Sequence, residues 1–174
     1  IIFGTCIAPL LAKKLGKKKT VLVLMVTNLI VSGIFFFGGY SSIPFVLVMG
    51  ALQILCVGAA FVMLSSMTAD TIEYGEWKTG QRNEGIITST RTLITKIASA
   101  LVGVAVAVVL TMTGYVPNVE QSESTMHAFH FVISFLPGIV MMIGAVPIFF
   151  YSLTESKHLE IMEELKKRRE SEEK

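Results

Sequence analysis

The chain has 174 residues, of which 52 % are hydrophobic and 16 % charged, with a formal net charge of +2. Average soluble domains carry about 25 % charged residues, so this composition excludes an ordinary water-soluble fold and points to lipid as the solvent. So small a net charge, without a basic face, also gives no reason to expect a nucleic-acid partner.

In chain order, residues 1–11 are apolar but too short to cross a bilayer. Lysines follow this stretch rather than precede it, which is the wrong order for a signal peptide. It is expected to be part of a helix cut by truncation. From Thr20 to Ala69 fifty residues pass without a charge. A crossing helix needs about 20 apolar residues, so this run holds two spans, 20–37 and 43–67. The turn signal Gly38-Gly39-Tyr40-Ser41-Ser42-Ile43-Pro44 divides them. A polar insert over 70–83 is expected to be a connection outside the membrane. A third span, 86–113, carries Lys96 well inside it and ends at Gly114-Tyr115-Val116-Pro117-Asn118. The last span is expected over 124–153, with Pro137 and Pro147 tolerated because neighbours in a membrane satisfy the freed carbonyls. Residues 154–174 form a charged tail.

Of the fifteen basic residues all but Lys96 sort toward the loops. Five lysines lie within 13–19, Lys78 and Arg82 lie in the insert, Arg91 follows it, and six basic residues are in the tail. The connections around Gly39 and Pro117 have none. The positive-inside rule therefore predicts a multi-pass protein of the cell inner (plasma) membrane, with the lysine loop, insert and tail cytoplasmic. In the tail, His158, Ile161, Met162 and Leu165 fall on one helical stripe, and Glu163–Lys167 and Glu164–Arg168 are spaced as i,i+4 pairs. Two readings stand side by side: an amphipathic helix lying on membrane lipid, and a solvated helical tail.

Lys96 is the first functional candidate, because an ionisable group within a span is costly and by default marks a substrate or ion pathway. The alternative is snorkelling toward the headgroups. Thr92, Lys96, Ser99, Gly103 and Ala107 share a face, and the small residues at 99, 103 and 107 suit close packing, so Lys96 is expected to point toward another helix. The insert carries mixed charges, Tyr74, Trp77 and three glycines; it reads either as a surface loop or as a salt-bridge cluster that opens and closes. Cys6 and Cys56 lack CxxC spacing and read as small buried hydrophobes. His127 and His130 have no third ligand apparent and read as interfacial caps. No catalytic motif appears, so no enzyme and no cofactor are expected.

The string Asp70–Arg82 (DTIEYGEWKTGQR), followed by Arg91-Thr92-Leu93-Ile94-Thr95-Lys96, resembles the loop and eleventh helix of the glycoside-pentoside-hexuronide:cation symporters, the melibiose permease family. Gly114-Tyr-Val-Pro-Asn-Val-Glu-Gln-Ser122 and the basic string 13–19 are similar to further stretches of that family. The resemblance covers essentially the whole chain. It implies an all-α integral membrane fold of the major-facilitator type, this chain holding the end of helix eight and helices nine to twelve. It also implies sugar or glycoside transport coupled to a monovalent cation, Na⁺, H⁺ or Li⁺. Lys96 then matches a lysine of the cation and sugar site, Thr92 a threonine near the sugar, and Phe61 a cavity-lining tryptophan. Asp70, Glu76 and Arg82 match charges of a cytoplasmic gate network. The family's cation-binding aspartates lie in the N-terminal half, so this chain is expected to need that half as partner and not to transport alone. The alternative from another class is a small four-span accessory or structural subunit.

Overall fold

The computed structural model describes residues 2–172, with side chains over 8–170. The ends of the expected partial helix and of the tail, and the Cys6 side chain, lie outside what is described. The chain forms α1 (Ile2–Leu15), α2 (Lys17–Gly38), α3 (Ile43–Thr79), α4 (Glu84–Met112), α5 (Glu123–Ser134), α6 (Leu136–Phe149) and α7 (Glu155–Glu172). Four segments are long and apolar enough to cross a membrane: α2, α3, α4, and α5 and α6 together.

Two elements differ from the sequence expectation. The insert is not a loop over 70–83, because α3 continues unbroken from Ile43 to Thr79. Residues 70–79 contain no proline, and their apolar and charged groups keep helical spacing, so nothing stops propagation. Termination comes at Gly80, which takes φ +71° and donates its N–H to Glu76 O at 2.8 Å. A residue with a Cβ would strain in this left-handed cap. At 37 residues α3 is about 55 Å long, well beyond a hydrocarbon core of about 30 Å. Its last turns stand clear of the apolar layer.

The second difference is a break in the last span between Ser134 and Leu136. Pro137 has no N–H, and Gly138 N–H turns back to Phe135 O at 3.1 Å, which leaves Ser134 O without a helical donor. Gln53 of α3 supplies it: its Nε2 donates to Ser134 O at 2.6 Å and to Ser32 Oγ of α2 at 2.7 Å. Gln53, Ser32 and Ser134 are all buried. The break is therefore closed by a side chain from a neighbouring span.

The core lies among α1, α2, α3 and α6, and is built from Ala8, Val21, Leu24, Met25, Ala59, Ala60, Met63, Met67, Ala145 and Ile148. The small residues let these helices approach closely, as in other membrane bundles. Cys56 is buried in the same bundle. By contrast, α4 buries none of its residues. The helix contact expected on its Lys96 face is not made by the described residues.

Gly138 marks a close crossing between α6 and α2. A Cβ built there would meet Ser32 Cβ and Oγ at 2.7 Å and the Leu29 Cα at 3.3 Å. Because Ser32 is also Gln53's acceptor, Gly138→Ala disturbs both the packing and the closure of the break. It is expected to cost about 1–3 kcal/mol, the usual range for overpacking, read as a lower denaturation midpoint in detergent. Gly144→Ala is the control, since nothing lies within 4 Å of its Cβ position.

Candidate functional site

The ion pairs gather at one end of the bundle. Lys17 opens α2, and its Nζ donates to both Asp70 oxygens, at 2.8 and 2.7 Å. The Asp70 side chain is only 8 % exposed and that of Lys17 19 %, so this pair is largely withdrawn from water. His158 of α7 sits 3.6 Å from Asp70 and 2.5 Å from Glu73. Lys18 donates to Phe149 O at 2.9 Å and Tyr151 O at 2.8 Å, placing a cation on the carbonyl end of α6. The lysine string thus ties α2 to both α3 and α6. Beside it, burial first, then the charges of Asp70 and Glu155, push the Tyr151 phenol up to about 12. It remains protonated at any physiological pH.

Asp70, Glu73 and His158 offer ligand atoms within 4.8 Å of one another, the spacing of a metal site. The Lys17 ammonium already engages both Asp70 oxygens, so the cluster carries its own cation.

A second cluster lies further along α3. Glu76 pairs with Arg82 at 3.3 Å and with Arg169 of α7 at 2.6 Å, and Arg82 also meets Glu84 at 2.9 Å. The Arg82 pKa is raised, chiefly by its hydrogen bond to Glu84. Trp77 Nε1 donates to Glu164 at 2.6 Å, and Arg168 Nη1 donates to Trp77 O at 3.0 Å. Asp70, Glu76 and Arg82 therefore do not form one network. Six residues apart on a helix, the two carboxylates are about 9 Å apart along the axis and about 120° apart around it, too far for one arginine to bridge. The structure brings Glu76 and Arg82 together and gives Asp70 to Lys17 and His158.

Part of the tail stripe packs toward α3: Ile161 and Leu165 are 2 % and 5 % exposed and His158 meets Glu73, while Met162 stays 38 % exposed. Burying two such side chains stabilises the docked tail by a few kcal/mol, at about 1.5–3 kcal/mol for each fully buried side chain. The helical continuation of α3 provides the surface on which α7 lies. Residues 17, 158 and 169 are not among the site candidates read from the sequence, and Glu73 enters there only as part of the insert. The lysine string and the tail stripe were visible there, but as topology and amphipathicity.

The other sequence candidates lie along α3 and α4. Thr92 and Lys96 are exposed, and Lys96 has no ion-pair partner among the described residues. Phe61 lines an open, apolar groove of about 740 Å³ with Gln53, Ile54, Val57, Gly58, Val62 and Pro137. Its charged neighbour is Arg91, whose Cζ lies 5.6 Å from the Phe61 ring centroid and whose Nη2 donates to Ser65 Oγ at 2.7 Å. His130 caps the Phe36 carbonyl at 3.1 Å, and Tyr40 meets His127 edge-on and His130 at a tilt, at the opposite end of the bundle from Asp70.

Helices of membrane length, a proline break sealed from a neighbouring span, and ion pairs gathered at one end describe an all-α integral membrane protein, and the family match makes it one of the major-facilitator type. The chain belongs to the family of MFS/sugar transport proteins, which it matches over residues 1–155. It is 36 % identical, over 99 % of its length, to a protein of Escherichia coli strain K12 provisionally described as a sulfoquinovose importer. It is 31 % identical over 94 % of its length to the glucuronide carrier protein homolog of the same organism. It is 30 % identical over 87 % of its length to the isoprimeverose transporter of Lactiplantibacillus pentosus. The chain spans 37 %, 36 % and 32 % of the length of these three relatives.

Proposed function

We propose that this chain forms the C-terminal helical unit of a sugar or glycoside:cation symporter driven by Na⁺, H⁺ or Li⁺. It works in the inner membrane with its charged end and C-terminus in the cytoplasm. The family match over residues 1–155 carries this reading. Relatives named for sulfoquinovose, glucuronide and isoprimeverose support a sugar or sugar-derived substrate.

In this reading the two ionic clusters bind the ends of α2, α3, α6 and α7 into one rigid body. Alternating access moves such bodies against each other around a site near the midplane. The exposed polar face of α4, with Thr92 and Lys96, and the groove beside Phe61 then face the other helical half, which supplies the remaining groups. Asp70, Glu76 and Arg82 stiffen the cytoplasmic gate from two separate points rather than one.

The test is uptake of labelled glycosides by the full-length protein in proteoliposomes, with Na⁺, H⁺ or Li⁺ gradients imposed one at a time. Accumulation above equilibrium with one of these gradients, abolished when the gradient is collapsed, is the expected result. Uptake that only equilibrates under all three removes cation coupling, and no uptake of any glycoside removes the sugar reading.

A further inference from the structure

Arg91 is a charged residue inside a span that the cation-coupling reading does not use. Ser65 and Phe61 precede Asp70 by five and nine residues, which places them about 8 and 14 Å up α3 from the charged end. Ile87 shares a cavity with Leu64, Met67, Thr68 and Thr71, which sets α4 alongside α3 at this level. One turn later, Arg91 meets Ser65 and Phe61 abreast of its own turn. The guanidinium is not snorkelling back to the surface.

None of the ion pairs among the described residues uses Arg91. One of its five N–H donors goes to Ser65, while the Phe61 ring attracts the cation and helps to fix its position. The remaining donors leave a planar fork suited to two oxygens of a carboxylate or sulfonate. At about 100° per residue, Arg91, Thr95, Thr88, Ser99, Thr92 and Lys96 fall within an arc of about 140° on α4. Leu93, Ile94, Ile97 and Leu101 fall on the other side. One polar face thus holds hydroxyls for sugar hydroxyls between two cations about 8 Å apart along the axis. A positive charge at this depth is costly without a counter-charge.

We propose that Arg91 is a specificity-determining residue: it selects a sugar carrying an anionic substituent, a carboxylate or sulfonate, with Ser65 and Phe61 holding the guanidinium in position. This rests on the sugar-transport reading and names the substrate class of that site. Lys96, on the other edge of the face, stays with the cation site.

The test uses the full-length transporter and methyl glycosides of glucose, galactose and mannose, each as the neutral sugar, the 6-carboxylate and the 6-sulfonate. Affinities are measured by calorimetry on purified protein. The parent is expected to bind at least one anionic form more tightly than its neutral counterpart by about tenfold or more, as charge-assisted hydrogen bonds allow. Which anion gains identifies the group. Arg91→Gln should abolish that preference while neutral-sugar affinity stays within about threefold, and Arg91→Lys should recover part of it. Ser65→Ala keeps the charge but frees it, and should weaken the anionic form alone by about two- to fivefold. If the parent shows no anionic preference, or if Arg91→Gln lowers neutral and anionic binding together, Arg91 has a structural role and the inference falls while the sugar reading stands. If the parent binds none of the nine glycosides, both fall.

Discussion

Uphill sugar accumulation is expected to be lost when Lys96→Val is placed in the full-length protein. Lys96 lies on the polar face of α4, exposed and without an ion-pair partner among the described residues. An ammonium there carries three donors and a full charge in a region where charge is expensive. If carboxylates of the other half meet it across the cavity, removing it leaves them unpaired in a low dielectric, and their hold on cation and proton changes. Lys96→Arg should restore only part of the accumulation, because a planar fork is not a compact ammonium. Lys166→Ala is the control, since that side chain is 79 % exposed and its ion-pair partner among the described residues is Glu170, at 4.0 Å. The readout is labelled-sugar uptake into vesicles with an imposed cation gradient, normalised to protein in the membrane. Accumulation by Lys96→Val equal to the parent's would return Lys96 to a snorkelling role.

The second large effect is on stability. Asp70→Asn removes the charge facing Lys17 in a contact where both side chains are mostly shielded from water. Breaking one partner of a buried ion pair costs about 3–5 kcal/mol, and the residual exposure of Lys17 places this pair near the lower figure. The same substitution weakens the seat of His158, so α7 should become cleavable by protease at a lower temperature. Lys17→Met alone should destabilise by a similar amount. The double variant should recover much of the loss, because no unpaired charge is left inside. Thermal midpoints of the full-length protein in detergent measure all three. Additive losses in the double variant, or an Asp70→Asn midpoint equal to the parent's, would show that the pair contributes nothing to holding this end together.

Much of this protein was legible in its residues because lipid imposes a one-dimensional rule. Backbone groups cannot remain unpaired in hydrocarbon, so fifty residues without a charge had to form crossing helices. The all-helical membrane fold and the family followed from that run and from the strings at 70–82 and 91–96. The end of α3 was harder to place. A polar composition after Asp70 reads as a loop, yet the same residues propagate as helix once α7 covers them.

Pairing was decided only by the tertiary structure. Nothing in the spacing says that Lys17 rather than Arg82 takes Asp70, since the partners are 53 residues apart and meet only when α2 packs on α3. The same holds for Gln53, which is unremarkable in the sequence but closes the break at Pro137, 81 residues from its acceptor Ser134. The tail stripe at 158, 161 and 165 showed that α7 has an apolar face, not which surface covers it. Periodicity along a chain records that a side chain is turned to one face of its helix. Which group it meets there depends on how separate helices cross, and that is a property of the packed bundle.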